Sequence, residues 1–214
     1  RRRHADPRRF VNPLRLSVLI PAAGATVSTS PRGETSKTTC TTVTARRRRG
    51  SRGEASPAET AIAALEIEQL VIDWGYDLDL NGGMNVAPLC TEDCHYLVGG
   101  TLHQGHGPIT AFYTARNERV ATQQKDGVRT QRHTITNMRI QFPAADHGSA
   151  QFMLVNYSGE GKAPILNLVG PTIVADCRME FRRDADGEWR ISLFDSTPMF
   201  IGNDPFLNAA VVRK

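Results

Sequence analysis

Residues 56–83 read SPAETAIAALEIEQLVIDWGYDLDLNGG, and the fold is worked out from this stretch. Ser56-Pro57-Ala58-Glu59 carries the marks of a helix start: a serine able to cap the first free N–H groups, a proline in the first turn and a glutamate three residues on. Apolar residues then recur at Ala63, Ile67, Leu70, Val71, Trp74 and Leu78, the spacing of one helical face. Ile72, Tyr76 and Asp79 form an adjacent stripe, and Asn81-Gly82-Gly83 ends the run. The pattern predicts a helix over 57–80 with Tyr76-Asp77-Leu78-Asp79 at its end.

Downstream, a helical turn is expected at 84–89. Cys94–Val98 and Thr101–Gln104 flank Gly99-Gly100, a hairpin signature. Gly107-Pro108 opens a second helix, predicted over 109–122, with Ile109, Phe112, Tyr113 and Val120 facing inward. Four long strand candidates follow at 129–142, 149–159, 165–183 and 188–201, separated by turn residues such as Ala145-Asp146-His147-Gly148 and Asp184-Ala185-Asp186-Gly187. Helices followed by strands give an α+β domain, a strongly curved antiparallel sheet wrapped on the N-terminal helices. Such a sheet encloses an apolar pocket between itself and the helices. The domain is bounded at 57–206, with 207–214 as a C-terminal tail.

The net charge of +4 conceals an uneven distribution. Residues 1–53 hold half of the 26 Lys+Arg but only Asp6 and Glu34 among the 22 Asp+Glu, so the remainder of the chain is net acidic. An acidic body excludes a nucleic-acid-binding core, since phosphate neutralisation needs a basic face. The basic segment, residues 1–56, has no helical or strand period and reads as a disordered extension. An export signal, a transit peptide, nucleic-acid contact through Arg46-Arg47-Arg48-Arg49 and sequence joined by a misplaced start all stay open for it. No run of about 18 apolar residues occurs, so no membrane span is expected. The expected compartment is the cytoplasm. Cys90 and Cys94, followed by His95, His103 and His106, invite a metal reading, but their spacing matches no standard zinc pattern. No metal is assigned; reduced thiols are the better reading. His103 and His106 are expected to face solvent in a turn, and Trp74 and Trp189 to serve the core.

Two segments carry candidate chemistry. One is Tyr76-Asp77-Leu78-Asp79; the other is Arg132-His133-Thr134-Ile135-Thr136-Asn137, at the start of a long strand. Strand alternation puts Arg129, His133, Ile135 and Asn137 on one face and Thr134, Thr136, Met138 and Ile140 on the other. A carboxylate bonded to one imidazole nitrogen selects the tautomer and raises the basicity of the other nitrogen, which makes an Asp–His pair a general acid/base device.

These segments, with Thr91-Glu92-Asp93-Cys94-His95-Tyr96, Gly105-His106-Gly107 and Asp186-Gly187-Glu188-Trp189-Arg190, resemble the SnoaL-like members of the NTF2-like superfamily over about residues 60–203. That group includes scytalone dehydratase, the hexachlorocyclohexane dehydrochlorinase and ketosteroid isomerase. The resemblance implies a cone-shaped α+β fold. It also implies that Asp79 orients His133 as general base, because both stand where the dehydratase and dehydrochlorinase branches carry that pair. Tyr96 matches a strand position that carries a Tyr in the one and a Trp in the other. Tyr76, Asn137 and Arg129 complete the substrate-binding candidates, Arg129 as a partner for an anion.

The sequence also departs from these relatives. The dehydrochlorinase's chloride-receiving Lys and Arg have no counterpart where Trp74 and Leu193-Phe194 stand. The dehydratase's second His and its Ser/Asn pair are unmatched at Ala175-Asp176-Cys177. The implied activity is a lyase, isomerase or dehydratase step on a small, largely apolar molecule, with no cofactor. The alternatives are a non-catalytic subunit of the kind found in ring-hydroxylating dioxygenases, or a small-ligand-binding protein. A homo-oligomer, most simply a dimer, is expected through the outer sheet face, with Met138, Ile140, Phe142 and Val174 supplying its apolar surface.

Overall fold

The structure is a computed structural model, in which residues 55–166 and 170–211 are described. The extension assigned to 1–56 lies outside the described residues except for Ala55 and Ser56. Ser56 caps the first helix, α1 (Pro57–Asn81): its hydroxyl accepts from the Glu59 N–H at 3.3 Å while its own N–H donates to Glu59 Oε2 at 2.7 Å. Gly82 closes the helix in the left-handed region, φ 63°, which a side chain would resist. The buried face is Ala63, Ile67, Val71, Trp74 and Leu78, as the period requires. Each fully buried aliphatic side chain of this stripe contributes roughly 1.5–3 kcal/mol.

A 3₁₀ turn at Ala87–Leu89 leads into β1 (Cys90–Val98), which pairs with β2 (Thr101–Gln104) across Gly99-Gly100. Then come α2 (His106–Gln123), β3 (Arg129–Ala144), β4 (His147–Glu160), β5 (Ile173–Arg183), β6 (Trp189–Ile201) and a short helix, α3 (Pro205–Val211). The six strands form one sheet in the order β2-β1-β6-β5-β4-β3. All pairs are antiparallel except β1 with β6, which is parallel. The strand expected from 165 begins only at Ile173. In place of the tail expected from 207, the chain continues through α3, and Leu207 reaches the interior cavity.

The inner face of β4 runs Gly148, Ala150, Phe152, Leu154, Asn156 and Ser158, and all six are buried. The first four pack in or beside the core, with Trp74 edge-on to Phe152 at 6.4 Å and tilted against Phe194 at 5.0 Å. Toward the far end the same face becomes polar, and there the helices stand off the sheet.

One expectation is overturned on β3. The strand carries a bulge in which Asn137 and Met138 together oppose Phe152, and Asn137 takes φ 56°. An extra residue reverses the alternation. Before the bulge Gln131, His133 and Ile135 turn inward; after it Met138, Ile140 and Phe142 do, and they pack against the core. Met138, Ile140 and Phe142 are therefore not on the outer face, and they cannot supply the oligomer contact assigned to them. Among the described residues, no helix is long and apolar enough to cross a membrane.

Candidate active site

The polar end of the sheet, α2, the end of α1 and α3 enclose a cavity of about 390 Å³. Its wall is largely aromatic and aliphatic: Trp74, Tyr96, Phe112, Phe194, Leu154 and Phe206 are among its lining residues.

Asp79 and His133 meet at this wall. The Asp79 carboxylate accepts from the His133 backbone N–H at 3.2 and 3.0 Å and faces His133 Nδ1 at 2.7 Å. Both side chains are about nine-tenths buried. The backbone bonds lock the carboxylate against β3, so the short ring contact is held from two sides. With Nδ1–H donating to the carboxylate, Nε2 is the nitrogen left for a ligand, and His133 lines the cavity. The neighbouring Asp77 has a different task. It is buried and accepts from Asn81 Nδ2, Asn85 N–H and Asn85 Nδ2, each at 2.9 Å, which ties the turn after α1 to the helix.

Tyr96 is fully buried in the cavity wall. Its hydroxyl accepts from Trp74 Nε1 at 3.0 Å and shares a short hydrogen bond with the Tyr113 hydroxyl. Burial, above all, pushes the Tyr96 phenol well above its ordinary pKa, so it stays neutral. Arg129 also lines the cavity, but its guanidinium is committed to Asp204, Ser158 and Gln124.

Two candidates stand elsewhere. Tyr76 lies on the exposed side of α1, 64% accessible, because Trp74, Asp77 and Leu78 take the inward positions of that turn. Asn137 is turned out by the bulge and lines a shallow outer hollow with Arg139 and Gln151 rather than the cavity.

Other residues enter the site without having been singled out for it. His103, expected to face solvent, stacks on Phe112 at 4.5 Å and lines the cavity. Its Nε2 is buried without a partner among the described residues, and burial lowers its pKa from the ordinary 6.5. Asn156, on β4 opposite His133, presents a buried Oδ1 that also lacks a partner among the described residues. Arg116 and Arg119 extend the inward face of α2 beyond Phe112 at i+4 and i+7, a periodicity visible in the sequence.

Cys90 and Cys94 are fully buried neighbours on β1, and their contact together with burial pushes the Cys90 thiol up. The histidines near them diverge: His106 Nε2 bonds the Cys90 carbonyl, His103 faces the cavity and His95 is exposed. Among the described residues no cluster of three or more His, Cys, Asp or Glu is placed to hold a metal.

No family model matches the chain, and no curated protein matches it. Solved structures do. ActVI-ORFA from Streptomyces coelicolor superposes with TM-score 0.55 at 15% identity, covering 67% of this chain and 98% of that one. A scytalone dehydratase-like protein from Novosphingobium aromaticivorans gives 0.51 at 15%, covering 70% and 92%. An NTF2-like protein with a cystatin-like fold from the same organism gives 0.52 at 18%, covering 77% and 100%. At these identities the likeness is one of architecture: the chain has the NTF2-like fold.

Proposed function

We propose that the protein is a general acid/base enzyme of the lyase, isomerase or dehydratase type, acting on a small, largely apolar molecule through Asp79 and His133. The observation that carries this reading is the pair itself: a 2.7 Å carboxylate–imidazole contact whose imidazole lines a cavity with aromatic and aliphatic walls. In the proposed step His133 Nε2 takes a proton from a carbon or oxygen of the ligand. The electron pair left behind expels a leaving group or shifts a double bond. The imidazolium, stabilised by Asp79, then returns the proton to the leaving group or to a second carbon. Asp79 is a positioning residue: it fixes the tautomer and offsets the charge that forms on the ring. This chemistry requires no cofactor. That one structural neighbour is scytalone dehydratase-like supports the reaction class without naming the substrate.

The test is a turnover screen on cyclic β-hydroxy ketones and β,γ-enones, followed by variants on whichever compound reacts. His133→Ala is expected to lower the rate by roughly 10²–10⁴. Asp79→Asn should also slow turnover, since an amide can hold the wrong tautomer and cannot balance an imidazolium. The double variant should be little worse than His133→Ala alone, because the Asp acts through the His. Full activity in folded His133→Ala sinks the proposal and leaves the non-catalytic ligand-binding reading in its place.

A further inference from the structure

The cavity wall is basic along one side. Arg116 and Arg119, one turn apart on α2, and Arg129 on β3 all line it. Arg119 and Arg129 lie over the Phe206 ring of α3, their guanidinium carbons 4.5 and 4.8 Å from its centroid. Asp204 is paired with Arg129. Asp79 is bonded to His133, and Asp77 to Asn81 and Asn85. Among the described residues neither Arg116 nor Arg119 has a carboxylate partner. Arg116 donates to Gln131 Oε1 and Asn117 Oδ1, and Arg119 donates to the Phe206 carbonyl, all neutral acceptors.

Clustered guanidinium groups repel one another, and a partly buried cation without a counter-charge is costly. Arg116 registers this: burial first, with the like charges of Arg129 and Arg119 adding to it, lowers its pKa from the ordinary 12.5. Each guanidinium carries five N–H donors, so these two retain donors beyond the bonds they make. An arrangement that places unmatched positive charge beside an aromatic cavity is completed by a ligand that brings the negative charge.

We propose that the molecule bound in this cavity is an aromatic or cyclic carboxylate whose acid group is received by Arg116 and Arg119 while its ring lies against the aromatic wall. A planar carboxylate matches the guanidinium fork in shape and charge. The cavity, at about 390 Å³, is of the size that takes a one- or two-ring molecule. This narrows the ligand of the proposed enzyme from a largely apolar molecule to one with a charged end, which would orient it relative to His133. It rests on the cavity being the ligand site, but not on any reaction occurring there.

The experiment is calorimetric titration of the protein with 2-naphthoate and with 2-naphthamide, which share a ring system and differ in charge. The acid is expected to bind about ten-fold or more tightly than the amide, the usual margin for a charge-assisted pair. Arg116→Gln and Arg119→Gln should each remove most of that margin while leaving amide binding in place, which also reports that the cavity has formed. Amide bound as tightly as acid, an acid preference that survives the double Arg116→Gln/Arg119→Gln variant, or no binding of either probe at millimolar concentration overturns the proposal. Because the readout is binding without turnover, its failure is distinct from a failure of the His133 rate test.

Discussion

His103 shows how much one side chain's surroundings alter its chemistry. It is stacked on Phe112, and its Nε2 is buried without a partner among the described residues, so desolvation penalises the imidazolium and lowers the pKa below 6.5. A folded-state value below the unfolded one means that the unfolded chain binds the extra proton first. The contribution is therefore intact above the unfolded pKa, and stability is lost as pH falls through 6.5 toward the folded value. Urea denaturation at neutral and at mildly acid pH should show a smaller acid loss for His103→Gln than for the native chain. An NMR titration should place the His103 midpoint below 6.5. A midpoint at or above 6.5 would remove His103 from the cavity wall as a neutral ring.

At the scale of elements, the bulge on β3 decides which residues see the cavity and which see the core. His133 lies before it and Met138 after it, and both face inward only because an extra residue intervenes. Asn137 holds the positive φ of 56° at this point. Asn tolerates that conformation, Gly adopts it freely, and a β-branched residue resists it. Asn137→Gly should leave the thermal midpoint near that of the native chain. Asn137→Val should destabilise by roughly 1–2 kcal/mol, read by chemical denaturation. If Val is accepted without loss, the left-handed bulge is absent and the inward placement of Met138, Ile140 and Phe142 falls with it.

The whole molecule is closed by a contact between distant parts of the chain. Asp204, just before α3, pairs with Arg129 at the start of β3; it also accepts from the Leu207 N–H at 3.2 Å and from the Ser158 hydroxyl at 3.3 Å. Both partners of the ion pair are more than nine-tenths buried. Removing one leaves the other charge buried and unpaired. Asp204→Ala is expected to cost about 3–5 kcal/mol and to free the amides of 205–209 to hydrogen exchange. The Arg129→Met/Asp204→Leu double variant, which removes both charges, should recover much of that loss. Equal destabilisation by the single and double variants would show that α3 is held by packing alone.

The sequence by itself determined what local physics can specify. The capped, stop-signalled helix α1 and the Gly99-Gly100 hairpin follow from residues a few positions apart. So does the order of helices and strands that makes an α+β domain. Asp79 and His133 were legible as a pair because one ends a strongly patterned helix, the other opens a strand, and both fit positions of a known group. What lay beyond local pattern was phase and convergence. The bulge reverses the facing of β3, and nothing in Thr136-Asn137-Met138 alone reports it, since a bulge is a relation between two paired strands. Tyr76 and Asn137 were lost from the site by such facing errors. His103, Arg116, Arg119, Asn156 and Phe206 were gained because the consecutive β2 and α2 close on one cavity with β4 and α3, which lie far along the chain from them. A side chain's identity is written in the sequence, whereas its burial, its partners and the charge balance around it exist only once these elements have packed.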